Sequence, residues 1–438
     1  MASTAGAAGA IALAACGASS GGGEKAAATK LAGTIEFWQW GASYVEGFNK
    51  LAGEFNEKMN GAKVNHSQPE GYDDKIKVTV AAGSGGPDVY LMRGNLFKQW
   101  AQDGLAIDIT DLSARDKTVG ADLKAMHKGF FDFYHHNGKL QGAPWDFSAI
   151  VTAYSTDALE SRGLKPPAEL GSAWDWPTFM DYAKRLTPGD GSKFGVDAVP
   201  GIEKGFYNWV VANGGQYWSD DFKKCTVNTP QFIDACEQYF SLATRLNVTP
   251  PRATKTAMNQ GLAHESYLLA NGNVAMQLAG DWHFVWYERA AQTGFKWDIA
   301  PQPYSPKTKK TGSIANYRGV SIAPTHQNKD LAWAWLSFLL KREVQDRIPS
   351  LMGEVPARLD SIDSVYLNPQ KMPSPKNRKL LKASIDATMP LPANPYLAYA
   401  DINAATNALQ VDAYDGKKQV KEAVEEMQTK LTALLGAR

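Results

Sequence analysis

Apolar residues recur with a helical period through "YVEGFNKLAGEFNEKM", at Val45, Phe48, Leu51 and Phe55. The run before it, "TIEFWQW" from Thr34 to Trp40, reads as a strand, and "AKVNHSQ" after it as a second. "YDDKIKVTVAAG" is then a helix stopped by Gly83, and "DVYLM" a third strand. "LFKQWAQDGL" continues the alternation, which argues for a parallel sheet with helices on both faces. "GSGGPD", Gly83 to Asp88, is a tight turn rather than a phosphate loop, since no GK[ST] closes it.

Further along, "NGKLQGAPWDFSAIVTAYSTDALESRGL" predicts a Gly-bounded hairpin, a long extended run and a helix. "WDWPTFMDYAKRLT" is a helix with Pro177 in its first turn. "TPQFIDACEQYFSLATRL" is helical, and "SYLLANGNVAMQLAG" reads as helix, turn and strand. "WDIAPQPYS" and "RGVSIAP" are strands. "NKDLAWAWLSFLLKREVQDR" is an apolar helix capped by Asn328. The last helix, in "KKQVKEAVEEMQTKLTALL", puts Val420, Val424, Met427 and Leu431 on one face.

The 438 residues suffice for two or three domains. A net charge of +1 provides no field to gather phosphates, so nucleic acid is not an expected partner. Aromatic residues change the picture: 13 Trp, 17 Tyr and 17 Phe are present, and several Trp sit in polar, loop-like settings. Trp38, Trp40, Trp145, Trp209, Trp218 and Trp282 are of this kind. An indole beside polar groups covers the C–H face of a sugar ring while its neighbours bond the hydroxyls.

Cys225 and Cys236 flank a strand, a turn and a helix start. In an exported protein they are expected to pair as a disulfide; two buried thiols are the other reading. His135 and His136 adjoin on a turn without the further ligands a metal needs, so neither metal nor cofactor is expected.

The start of the chain points outward. Ile11 to Ala15 is too short to span a bilayer, and Gly17 to Ala32 is too poor in large apolar side chains to fold. Leu13-Ala14-Ala15-Cys16 resembles a lipobox, which implies lipid on Cys16 and a tether behind it. No Lys or Arg precedes the apolar run, as in a truncated leader.

Several stretches, in order, resemble the extracellular solute-binding proteins of family 1, sugar receptors of bacterial ABC importers. They are "TIEFWQWG", "YDDKIKVTVAAGSGGPDVYLM", "NGKLQGAPWDFSAIVTAYSTDAL", "AWDWPTFMDYAKRLT", "NGNVAMQLAGDWHF", "NKDLAWAWLSFLLKREVQDR" and "GEVPAR". The resemblance implies a two-lobed α/β fold of the type II periplasmic-binding-protein kind, each lobe a mostly parallel sheet flanked by helices. Residues 1–32 are expected to be leader and tether, 33–145 with 302–345 the first lobe, and 146–301 with 346–438 the second. The implied partners are a carbohydrate, of two or more units, and the permease. The implied state is a lipid-anchored, extracytoplasmic monomer without enzymatic activity.

Ligands in such folds sit at the carboxyl ends of strands. Trp40 ends the first strand and is expected to stack or gate. Glu70 follows the second strand as a hydroxyl acceptor, and Arg93 ends the third with a fork of donors. Trp145 and Asp146 lie at the first crossing between lobes, Tyr317 and Arg318 on the returning segment. Asp281 and Trp282 follow "VAMQLAG", where the family stacks sugar; Glu354 and Trp209, whose helical setting also fits the core, complete the candidates. Arg358 is read as structural. Arg93 and Arg318 leave an acidic sugar open. A secreted glycoside hydrolase would draw two carboxylates from Glu70, Asp146, Asp281 and Glu354; a surface glycan-binding protein is the third reading.

Overall fold

The structure is a computed structural model and describes residues 31–59, 61–259 and 264–437. The expected leader with Cys16, and all of the tether but its last two residues, lie outside these residues.

Two sheets organise the chain. The first has six strands in the order Val355–Pro356, Ala143–Phe147, Arg318–Ile322, Val89–Arg93, Gly33–Trp38, Ala62–Ser67. The second has four, in the order Trp297–Pro301, Ile150–Ser155, Val274–Gly280, Phe194–Asp197. A core forms around each. Phe37 meets Phe48 edge-on at 4.9 Å and Trp335 at 5.5 Å in the first. Trp176 stacks on Trp209 at 4.6 Å in the second.

Local chemistry accounts for the elements. The helix Val45–Lys58 buries Phe48, Leu51 and Phe55, the spacing seen in the sequence. Asn328 accepts from the Leu331 N–H at 3.1 Å and starts Lys329–Leu340. Asp175 caps Trp176–Arg185 in the same way, with Pro177 in the first turn. Asn137 and Gly138 both take positive φ, 49° and 75°, and turn the hairpin that pairs His135–His136 with Lys139–Leu140.

Three expectations are corrected. The sheets are mixed rather than mostly parallel. Gly33–Trp38 runs parallel to both neighbours, but Arg318–Ile322 is antiparallel to Val89–Arg93 and to Ala143–Phe147. The second sheet has one parallel pair, Phe194–Asp197 with Val274–Gly280. Strands that leave one lobe and strands that return to it point opposite ways. Secondly, the boundary placed after residue 145 cuts a strand of the first sheet, and Val355–Pro356, assigned to the second lobe, also belongs to the first sheet. Thirdly, Cys225 and Cys236 are both free and buried, without a disulfide. Cys225 lies in a bridge to Trp218, whereas Cys236 is packed on the helix Pro230–Thr244.

Candidate ligand-binding site

Sheet register collects charge at one edge of the first lobe. Arg318 opens its strand opposite Arg93 on one side and Asp146 on the other, and Pro356 also pairs with Asp146. Arg318 Nε donates to Asp146 Oδ1 and Nη2 to Glu354 Oε2, each at 2.6 Å. The Tyr44 hydroxyl donates to Glu354 Oε1 at 3.1 Å. All four side chains are buried. Burial pushes the Asp146 carboxyl up to about 7, Arg318 pulling the other way.

Where the chain passes between lobes, its segments are laced together. The Ala149 N–H donates to Asp281 Oδ1 at 3.2 Å, and the Asp281 N–H to the Ala149 carbonyl at 3.1 Å. Tyr366 donates to Asp281 Oδ2 at 2.9 Å. Ile150 N–H bonds Ser313 Oγ at 3.0 Å, and Asn316 N–H bonds Ser148 Oγ at 3.2 Å. Burial and the nearby Glu354 push the Asp281 carboxyl well above the usual carboxylate range.

Asn316 also lines a cavity of about 340 Å³ shared by both lobes. The first lobe contributes Arg93 and Asn95. The second contributes Glu203 and Lys204 from one loop, and Tyr399, Asn403, Asn407 and Gln410 from the helix Tyr399–Tyr414. Arg93 Nε donates to Asp73 at 3.1 Å, and its guanidinium lies 4.2 Å from the Trp40 ring centre. Lys204 is paired with Glu265, which His283 Nε2 also meets at 3.2 Å. The side-chain oxygens of Asn95 and Asn316 are buried without a hydrogen-bond partner among the described residues. Both are acceptors left without a donor. A larger hollow of about 1090 Å³ is lined by second-lobe residues around Thr249–Ala253 and Ala413–Val420, and none of the expected site residues reaches it.

The expected residues therefore divide. Arg93 lines the cavity and Trp40 rests on it. Trp282 is half-buried on the turn after Gly280; its indole lies over that glycine so closely that a Cβ there would clash. Asp146, Arg318 and Glu354 form the buried ion-paired edge, and Asp281 ties the crossing segments. Trp145, Trp209 and Tyr317 are corrected to core positions. Trp145 is fully buried against Phe48, Trp209 is stacked under Trp176, and Tyr317 packs on Phe130 at 4.5 Å. Glu70 is exposed and does not line the cavity. Arg358 is structural, bonded to Asp122 and Asp360.

A family model of bacterial extracellular solute-binding proteins matches residues 50–374. The chain belongs to that family. Its two-lobed fold is shared by solved structures over nearly the whole length of this solute-binding protein. The ABC substrate-binding protein Lmo0181 from Listeria monocytogenes, in complex with cycloalternan, matches with a TM-score of 0.75 and 22% identity, covering 92% of this chain and 99% of its own. The sugar-binding protein MalE from Xanthomonas citri matches at 0.76 and 19%, covering 93% and 98%. In sequence, an uncharacterized lipoprotein in the oleD 5' region of Streptomyces antibioticus is 25% identical over 311 residues, 69% of this chain. The match spans 65% of that relative's length. The family places this solute-binding protein on the extracytoplasmic side, among transport proteins rather than enzymes. Among the described residues no helix is long and apolar enough to cross a membrane.

Asn95, Glu203, Asn403 and Asn407 are functional candidates of this solute-binding protein that no motif in the sequence marks. One signal was available for the last two. Ala400, Asn403, Ala404, Asn407 and Ala408 form a helix stripe with no charge, where an outward face is ordinarily charged.

Proposed function

We propose that this protein is the carbohydrate receptor of a bacterial ABC importer. The observation that carries the reading is the amide-rich lining of the interlobe cavity: Asn95, Asn316, Asn403, Asn407 and Gln410. Each amide offers an acceptor and donors, which matches hydroxyls that both give and take hydrogen bonds. Trp40 and Trp282 are half-buried and stand outside the cavity's lining, and we assign them as the faces offered to sugar rings. The cycloalternan complex of Lmo0181 and the sugar-binding MalE, which share the fold, support the same class of ligand. The receptor acts as a monomer, held by lipid on Cys16 through a Gly/Ser-rich tether that lets it reach the permease, to which it passes its sugar unchanged. A thermal-shift screen over linear and cyclic oligosaccharides tests this. A ligand at 100 times its Kd stabilises by about 2.7 kcal/mol. A panel in which no sugar raises the melting temperature overturns the reading.

A further inference from the structure

Glu203 is the cavity's unengaged charge. Its neighbours are already committed. Lys204, next in the chain, pairs with Glu265. Arg318 is held between Asp146 and Glu354. Arg93 is bonded to Asp73 and laid on Trp40. Among the described residues, no hydrogen bond or ion pair reaches the Glu203 carboxylate. The groups that act on it are Arg318 and Lys204, opposed by Glu354 and Glu265, while Tyr399 stands beside it in the lining. Arg318 and Lys204 act on it more strongly than Glu354 and Glu265 do, but each cation is bonded to carboxylates of its own and neither bonds Glu203. Arg93 and Arg318, which the sequence left open toward an acidic sugar, are neutralised by their pairings.

A half-buried, unpaired carboxylate destabilises a fold, because water's stabilisation is lost and nothing replaces it. Burial accordingly raises its pKa. Such a group in a cavity is a candidate for meeting a ligand.

Resting on the carbohydrate reading above, we propose that Glu203 selects ligands by charge, and that the preferred ligand is a basic saccharide whose protonated amine docks on its carboxylate. Neutral sugars bind more weakly through hydroxyls, and acidic ones are repelled. Like charges placed together in a desolvated site discriminate strongly.

Calorimetry on the full chain and on Glu203→Gln tests this with chitosan oligomers, maltooligosaccharides and oligogalacturonates of matched length. The expected order for the wild type is basic, then neutral, then acidic, with at least about tenfold between the first two. Glu203→Gln should erase the gap between basic and neutral sugars. Unliganded, the variant should melt higher than the wild type at pH 7. Removal of a raised carboxyl pKa should also flatten the loss of stability as pH rises above its unfolded value. Equal affinity for all three sugars, or a preference for the acidic one, overturns charge selection and leaves the sugar reading standing. A variant that melts lower, with the order unchanged, shows that Glu203 is a structural residue and also overturns it. Binding of none of the three overturns charge selection, and the carbohydrate reading falls with it only when the wider panel of linear and cyclic oligosaccharides is also silent.

Discussion

Trp209→Ala should empty a fully buried site against Trp176. It should cost about 3–5 kcal/mol of stability, measured by urea unfolding, while the folded protein keeps its ligand affinity. Trp282→Ala should do the reverse, weakening sugar binding by about 1–3 kcal/mol in calorimetry with a smaller effect on folding. An unchanged affinity removes Trp282 from the site. In sequence the helical setting of Trp209 already leans toward the core and the Gly-Asp-Trp turn of Trp282 toward the site. What separates them is depth, and depth is set by elements far along the chain. The same holds for Glu203, which lines a cavity only because the helix Tyr399–Tyr414 is brought across from it. Asp146 gives a test by pH. Its folded carboxyl titrates near 7 and its unfolded one near the ordinary value, so the native state holds a proton between the two that the unfolded state releases. Its contribution is complete below pH 4 and is lost as pH rises to about 7. Urea midpoints should fall across that window, and Asp146→Asn should flatten the fall; a wild-type midpoint that climbs instead means an ionised, well-paired carboxylate.

At the level of elements, Asn328→Ala should lose the bond from the Leu331 N–H and about 1 kcal/mol, seen as a lower melting temperature. No change would mean that the apolar packing of Lys329–Leu340 holds the helix start unaided. That cap, the helix Val45–Lys58 and the hairpin at Asn137–Gly138 were legible because each is written in neighbouring residues. Strand direction was not. Nothing local in "RGVSIAP" says that it returns across the molecule and lies antiparallel to "DVYLM". Val355–Pro356 is too short to carry a period at all, and its place at the sheet edge is set by pairing with Ala143–Phe147, remote in sequence.

For the whole molecule, a sugar that touches Arg93 and Asn95 on one side and Glu203 and Asn403 on the other binds best when the lobes approach. Small-angle scattering should show a smaller radius of gyration with saturating sugar, and tryptophan fluorescence should change with it. A ligand that alters neither occupies one lobe alone. The lobes were legible as an ordered set of motifs, whereas the belt that joins them was not, since its bonds link Ser148, Ala149, Asp281, Ser313 and Asn316 from segments remote in sequence. That belt makes strength and selectivity of capture separable traits. Four of these residues, Ser148, Ala149, Asp281 and Ser313, do not line the cavity, and a change that loosens their lacing is expected to alter the share of molecules poised to close. Apparent affinity scales with that share. A lineage of such receptors is thus free to retune uptake to scarce or plentiful nutrient through the belt while the cavity goes on recognising the same molecule.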